Sequence, residues 1–247
     1  LGGDHSVNIP CIDAFENYGD IHLIQIDAHL DFVDIRHGVK YGHGNPMRRA
    51  LEKPYVTGLT QIGIRNVSST AREGYVDART MGSDIISVRQ QRKLGAIKTI
   101  ERISGNKKVY VTIDIDAFCP SIAPGTGTPS HGGFLYYEVL EMLQEISKKH
   151  EVIGIDLVEV APDYDQSGST SILAAQLLMN FIGFIFYAFS PTASIVFLVA
   201  ALLMSFVSIK KYRKNKDDFE NKWAFRIANI LALLAINFLF ILLLIEV

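Results

Sequence analysis

The chain has 247 residues, a formal net charge of −2, 20% charged residues and a mean hydropathy of +0.20. The near-neutral balance excludes a general polyanion-binding surface, so nucleic acid is not an expected partner, and the apolar content exceeds that of an ordinary soluble domain. The two cysteines, Cys11 and Cys119, lack CxxC spacing; they suggest neither a disulfide framework nor a zinc site and fit a reducing compartment.

The sequence opens on Leu1-Gly2-Gly3-Asp4 without Met, basic leader or apolar signal core, so it is expected to be a fragment with something missing upstream. His5 follows a Gly-Gly turn that lets the backbone pass close by. From there to about residue 175, short apolar runs alternate with helical stretches, the pattern of an α/β fold with a mostly parallel sheet. Ile21 to Ile26 reads as a strand ending in Asp27, and Pro46 to Leu51 as a helix. Lys108 to Ile113 is a strand ending in Asp114. Phe134 to Lys149 is a helix with Leu135, Val139, Met142, Leu143 and Ile146 at helical spacing. Val152 to Val158 is a strand ending in Glu159, and about Ser171 to Phe181 is an amphipathic helix. Each strand delivers an acidic residue to its C-terminal end, where open α/β sheets bind their ligands.

Near Gly183 the composition changes class. No charged residue occurs from Phe181 to Ile209 or from Ile227 to Ile245, and each stretch is long enough for a hydrocarbon core that needs ~20 apolar residues. The intervening loop, Lys210-Lys211-Tyr212-Arg213-Lys214-Asn215-Lys216, is dense in cations. The expected organisation is an α/β domain over 1–185 and two hydrophobic helices over 186–247 forming a transmembrane hairpin. A cytoplasmic basic loop with two full spans would place the α/β domain on the opposite face. Three alternatives stay open, a re-entrant hairpin, a loop lying outside, or a tail that is an aberrant extension joined to the α/β part, and the expectation adopted is a membrane-associated chain with its α/β part in the cytoplasm.

Asp27-Ala28-His29-Leu30-Asp31 places two carboxylates and an imidazole at i, i+2 and i+4, which share one side of an extended segment. Asp114 and Asp116 repeat the device on a second strand, and His5 adds another imidazole. Alone, each piece could be a turn or a cap; together, carboxylates clustered at the end of an apolar sheet repel one another without a cation. The set is hard and oxygen-rich, which suits manganese or magnesium better than zinc. Two ions ~3.5–4 Å apart balance four carboxylates better than one ion does.

Gly2-Gly3-Asp4-His5-Ser6, Asp27-Ala28-His29-Leu30-Asp31, Asp114-Ile115-Asp116 and Pro124-Gly125-Thr126-Gly127-Thr128-Pro129 together resemble the signatures of the arginase/agmatinase ureohydrolase family over residues 1–185. The resemblance implies a three-layer α/β/α fold and two Mn2+ ions. His5, Asp27, Asp31 and Asp114 would hold one ion and Asp27, His29, Asp114 and Asp116 the other, with Asp27 and Asp114 bridging. It also implies early strands upstream of Gly2. Tyr41-Gly42-His43-Gly44-Asn45-Pro46, followed by Arg48-Arg49-Ala50-Leu51-Glu52, resembles the agmatinase form of the segment that carries the family's catalytic histidine, which makes His43 the implied proton shuttle. Leu157-Val158-Glu159-Val160-Ala161-Pro162 resembles the segment whose glutamate holds the substrate guanidinium, a group that a carboxylate takes through two parallel charge-assisted hydrogen bonds.

The implied activity is hydrolysis of a guanidino substrate by water activated between the metals, with Asp31 orienting that water and His43 protonating the leaving amine. Agmatine, giving putrescine and urea, is the expected substrate, with arginine or a guanidino acid as close neighbours. A non-catalytic, membrane-anchored relic is the reading from a different class, and a homo-oligomer is implied for the full-length parent. Asp4 is expected in the turn or behind the ligands, His37 and His131 on the surface, and His22 in the core or at an edge. Cys119 stands where much of the family carries an aspartate.

Overall fold

Five parallel strands in the order β3-β2-β1-β4-β5 make the sheet of this computed structural model, which describes residues 2–67, 70–105 and 107–189. They are β1 (Ile21–Ile26), β2 (Val56–Ile62), β3 (Ser83–Ile86), β4 (Lys108–Asp114) and β5 (Glu151–Val158). The aliphatic and β-branched residues of β1 and β4 are buried almost without interruption, as expected of strands covered on both faces.

The connections are α1 (Asn8–Asp13) before β1, α2 (Pro46–Leu51), α3 (Arg72–Thr80), α4 (Val88–Ile100) and α5 (Tyr136–Lys149), with α6 (Ser169–Phe189) following β5. From β1 the sheet grows outward to β2 and β3. It then returns to place β4 on the other side of β1. Right-handed crossovers therefore put α2 and α3 on one face and α4 and α5 on the other; accordingly α1 packs on α2, and α4 on α5. The strand order reverses between β1 and β4, so the crevice beyond their carboxyl ends is the switch point at which such sheets bind ligands.

The expected α/β fold with a parallel sheet is what forms. The strands expected near Ile21, Lys108 and Val152 are present within a residue at each end. The strands β2 and β3 and the helices α3 and α4 were not singled out from sequence; β2 carries Gly58, Thr60 and Gln61 among its aliphatics, and β3 has four residues. Helix α5 starts at Tyr136 rather than Phe134, because Leu135 is extended (φ −91°, ψ 166°) and its N–H is capped by Glu138 Oε2 at 2.7 Å. Leu135 is consequently exposed, while Val139, Met142, Leu143 and Ile146 are buried as their spacing predicts.

The chain divides into two compact units, the first ending at Leu177 and the second opening at Leu178. Helix α6 runs without a break through the boundary expected near Gly183. Among the described residues, its segment Ser169–Ala188 is the one helix long and apolar enough to cross a membrane by length and composition, a test that the core helix of a soluble protein also passes. The hairpin expected over 186–247 lies outside the described residues from Ser190 onward.

Candidate metal centre

Beyond Ile26 the chain leaves β1 as a buried run of alternating acidic and imidazole side chains, and local hydrogen bonds fix its path. The Asp27 N–H extends the ladder to Ile62 O at 2.9 Å, while Asp27 Oδ1 accepts the His29 N–H at 2.6 Å, a turn that short acidic side chains favour. Asp114 does the same at the end of β4, where its Oδ1 accepts the Asp116 N–H at 2.8 Å and opens a short 3-10 turn, Ile115–Ala117. Asp4 caps the 3-10 turn His5–Val7 by accepting the Ser6 N–H at 3.0 Å, the turn role expected of it. Asp31 and Glu159 adopt φ of 49° and 65°, a left-handed conformation that costs non-glycine residues energy and clusters at functional sites.

These turns converge. His5 Nδ1 lies 2.9 Å from Asp31 Oδ2, 3.2 Å from Asp27 Oδ2 and 3.5 Å from Asp114 Oδ2, yet it is hydrogen-bonded to none of them. Its other nitrogen, Nε2, is 2.9 Å from Thr112 Oγ1, and Thr112 gives its own proton to Asp156 Oδ1 at 2.6 Å. Thr112 must therefore accept from His5 Nε2–H, so the free valence of Nδ1 is directed among the carboxylate oxygens. Asp156 is anchored in turn by Tyr110 Oη and Asn8 Nδ2, each at 2.8 Å. His29 Nδ1 sits 2.9 Å from Asp116 Oδ2 and 3.7 Å from Asp27 Oδ1.

Two buried triads result, His5–Asp27–Asp114 and Asp27–His29–Asp116, with the ligand atoms of each within 4.8 Å of one another. Asp27 belongs to both. The electrostatics express a demand for positive charge. Burial, then Asp116 and Asp31, push Asp27 up to about 7; burial, then Asp116 and Asp27, push Asp114 well above its ordinary range. Burial pulls on both imidazoles, but Asp114, Asp27 and Asp31 outweigh it and hold His5 well above 6.5, while Asp116 and Asp27 lift His29 to about 9. Burial opposes ionisation of Asp116 too, yet His29 brings it below 3.8. Oxygen-rich donors around an imidazole nitrogen that no protein group satisfies fit a pair of divalent cations.

The remaining candidates are placed as follows. Glu159, half-buried, accepts the His5 backbone N–H on Oε1 at 2.9 Å; burial raises its pKa against the opposing pull of His5 and His43. His43 is exposed and lies within electrostatic range of Glu159. His37 and His131 are exposed, and the half-buried His22 is pushed down to about 4 by burial, with Nε2 2.9 Å from Thr60 Oγ1. Cys11 and Cys119 are free thiols.

Sequence reasoning missed the residues behind the ligands. Besides Thr112 and Asp156 these include Arg65, whose guanidinium reaches the carbonyls of Asp116 at 2.7 Å, Ser130 at 2.6 Å and His131 at 3.1 Å, and Gln25, which donates to Asp27 Oδ2 at 2.6 Å. For Gln25, Thr112 and Asp156 the available signal was a polar residue at a strand position otherwise reserved for aliphatics; Arg65, in the loop after β2, carried none.

The arginase family model matches residues 1–183. The mitochondrial guanidino acid hydrolase of Homo sapiens is 37% identical over 186 residues, covering 73% of this chain and 52% of that protein. The mitochondrial agmatinase of Gallus gallus is also 37% identical over 186 residues, covering 73% and 54%. Among solved structures, the agmatine ureohydrolase of Thermoplasma volcanium superposes with a TM-score of 0.69 at 35% identity, covering 77% of this chain and 63% of that one. The chain thus spans about half the length of the curated relatives it matches. With the family's model matched from Leu1 to Gly183 and its parallel-sheet fold reproduced around the two triads, this chain belongs to the arginase family.

Proposed function

We propose that the chain carries an agmatinase-type hydrolytic site in which His5, Asp27, His29, Asp31, Asp114 and Asp116 hold two manganese ions. The observation that carries this reading is the membership of Asp27 in both triads, since one carboxylate reaching two imidazole-bearing clusters is what a shared pair of ions needs. Bound as a pair, divalent ions supply Lewis-acid activation of water near neutral pH. Asp31, in its strained conformation beside His5, orients the attacking water. Glu159 offers a partly buried carboxylate to the substrate guanidinium, and a charge-assisted pair there fixes the reacting carbon over the cluster. His43, exposed and within electrostatic range of Glu159, would pass a proton to the leaving amine and contact the bound substrate.

Agmatine is the preferred substrate because the segment Tyr41–Pro46 has the agmatinase form, and agmatine's free amine makes no demand for a cationic pocket. A guanidino acid is the second reading, and one observation favours it. Arg36 Nη1 lies 3.9 Å from where a Cβ on Gly44 would stand, next to His43, so a cation is available there for a substrate carboxylate. The charge-free stretches from Phe181 onward support membrane attachment. The test is urea release by the manganese-loaded, detergent-purified chain from agmatine, 4-guanidinobutyrate and arginine in parallel. Agmatine turning over fastest supports the first reading, and turnover only of the acid supports the second. Metal binding without turnover of any of the three overturns both.

A further inference from the structure

Two glutamines lie side by side in the middle of the sheet, Gln25 on β1 and Gln61 on β2, paired in register and both fully buried. An amide in such a place is costly unless every donor and acceptor is met, and here the partners run in a single direction. Ser83, on edge strand β3, donates Oγ–H to Gln61 Oε1 at 2.7 Å. Gln61 Nε2 donates to Gln25 Oε1 at 2.5 Å and to Leu30 O at 2.6 Å, using both of its hydrogens. Gln25 Nε2 donates to Asp27 Oδ2 at 2.6 Å and to His29 O at 3.3 Å. Turning Gln25 over would set its nitrogen against Gln61 Nε2 and its oxygen against Asp27 Oδ2, and turning Gln61 over would set its oxygen against both Gln25 Oε1 and Leu30 O, so the chain of bonds fixes both orientations.

The terminus of this chain is functionally placed. Asp27 Oδ1 is already held by the His29 N–H, so the Gln25 bond at Oδ2 fixes the second oxygen of the one carboxylate that belongs to both triads. We infer that Gln25 is a positioning residue for the Asp27 carboxylate, and that Gln61 and Ser83 hold Gln25 in its working orientation, so that an edge-strand hydroxyl helps shape the metal pair. This inference rests on the proposed metal centre and adds residues that the ligand pattern does not contain.

The test uses the full chain in detergent with Mn2+ alone as probe, reading affinity by equilibrium dialysis and coupling between the ions by low-temperature electron paramagnetic resonance. Gln25→Leu is expected to lower Mn2+ affinity roughly 10- to 100-fold and to replace the coupled-pair signal with that of isolated ions. Ser83→Ala is expected to lower affinity roughly 3- to 5-fold, and Ser83→Thr, which keeps a hydroxyl, to restore it. Thermal melting checks that each variant is folded. If Gln25→Leu does not fold, the Ser83→Ala and Ser83→Thr pair decides. A folded Gln25→Leu with wild-type affinity and a coupled signal, or Ser83→Ala and Ser83→Thr indistinguishable from wild type, would overturn the inference. Asp27→Ala, run alongside, separates the two levels: if it leaves Mn2+ binding unchanged, the metal centre itself is wrong and the inference falls with it. If Asp27→Ala abolishes the pair while Gln25→Leu does not, only the positioning role fails.

Discussion

Glu159 Oε1 accepts the backbone N–H of His5 at 2.9 Å, tying the end of β5 to the turn that brings a buried imidazole into the metal centre. The bond joins positions 154 residues apart. It couples the proposed guanidinium anchor to the proposed metal ligands, so the distance from substrate carbon to cluster depends on β5 staying beside β4.

Glu159→Gln keeps an oxygen for the His5 N–H and removes the charge. Because a hydrogen bond to a charged group is worth ~1.5–3 kcal/mol, kcat/KM should fall roughly 10- to 100-fold. Mn2+ binding and the melting temperature should not change. Steady-state kinetics alongside dialysis check this, and a parallel loss of metal would mean that Glu159 acts through the scaffold.

Thr112→Val removes the acceptor that fixes His5 as its Nε2–H tautomer while keeping the side-chain shape. Partners behind metal-binding histidines are worth ~10–100-fold in affinity, and a drop of that size in Mn2+ affinity is expected by titration calorimetry. Thr112→Ser, retaining the hydroxyl, should bind as wild type does.

The metal-free protein should lose stability as pH rises. Asp27 is lifted from 3.8 to about 7 and His29 from 6.5 to about 9, so folding binds protons at both. Their contributions are complete below the ordinary values and vanish as pH climbs through the raised ones. His5 and Asp114 act in the same direction. Asp116, held below 3.8, and His22, pushed from 6.5 to about 4, act oppositely, but their gains are complete once pH passes those ordinary values, below the climb through the raised value of His29. Melting in chelator should therefore fall by roughly 5 °C or more between mildly acidic and mildly alkaline pH. Mn2+ should raise it most at the alkaline end.

His43 is exposed, so His43→Ala should leave melting and Mn2+ stoichiometry unchanged. Loss of a general acid costs ~10²–10⁴-fold in kcat. Stopped-time urea assays read this, and an unaltered kcat would remove His43 from the chemistry.

The proposed ligands were legible in sequence because acidic and imidazole residues cluster just beyond β1 and β4, although turns at Asp27, Asp114 and Asp4, and not strand alternation, bring them together. What was not legible depends on neighbours distant in sequence. Gln25 and Gln61 look like polar interruptions until β1 and β2 are paired in register, and Thr112 gains meaning only once Asp156 from β5 is beside it. Strand β3 was missed because its four residues fall below a recognisable alternation, yet its Ser83 begins the chain of bonds to Asp27. The left-handed backbone at Asp31 and Glu159 was not legible either, since neither position carries the glycine that usually marks it.

The most direct test is the number of Mn2+ ions bound per chain at saturation, measured by equilibrium dialysis for the wild type and for Asp27→Ala. A pair of ions in the wild type, with loss of tight binding of both when the shared carboxylate is removed, is the predicted result. A single ion in the wild type, or unchanged binding by Asp27→Ala, would contradict the account.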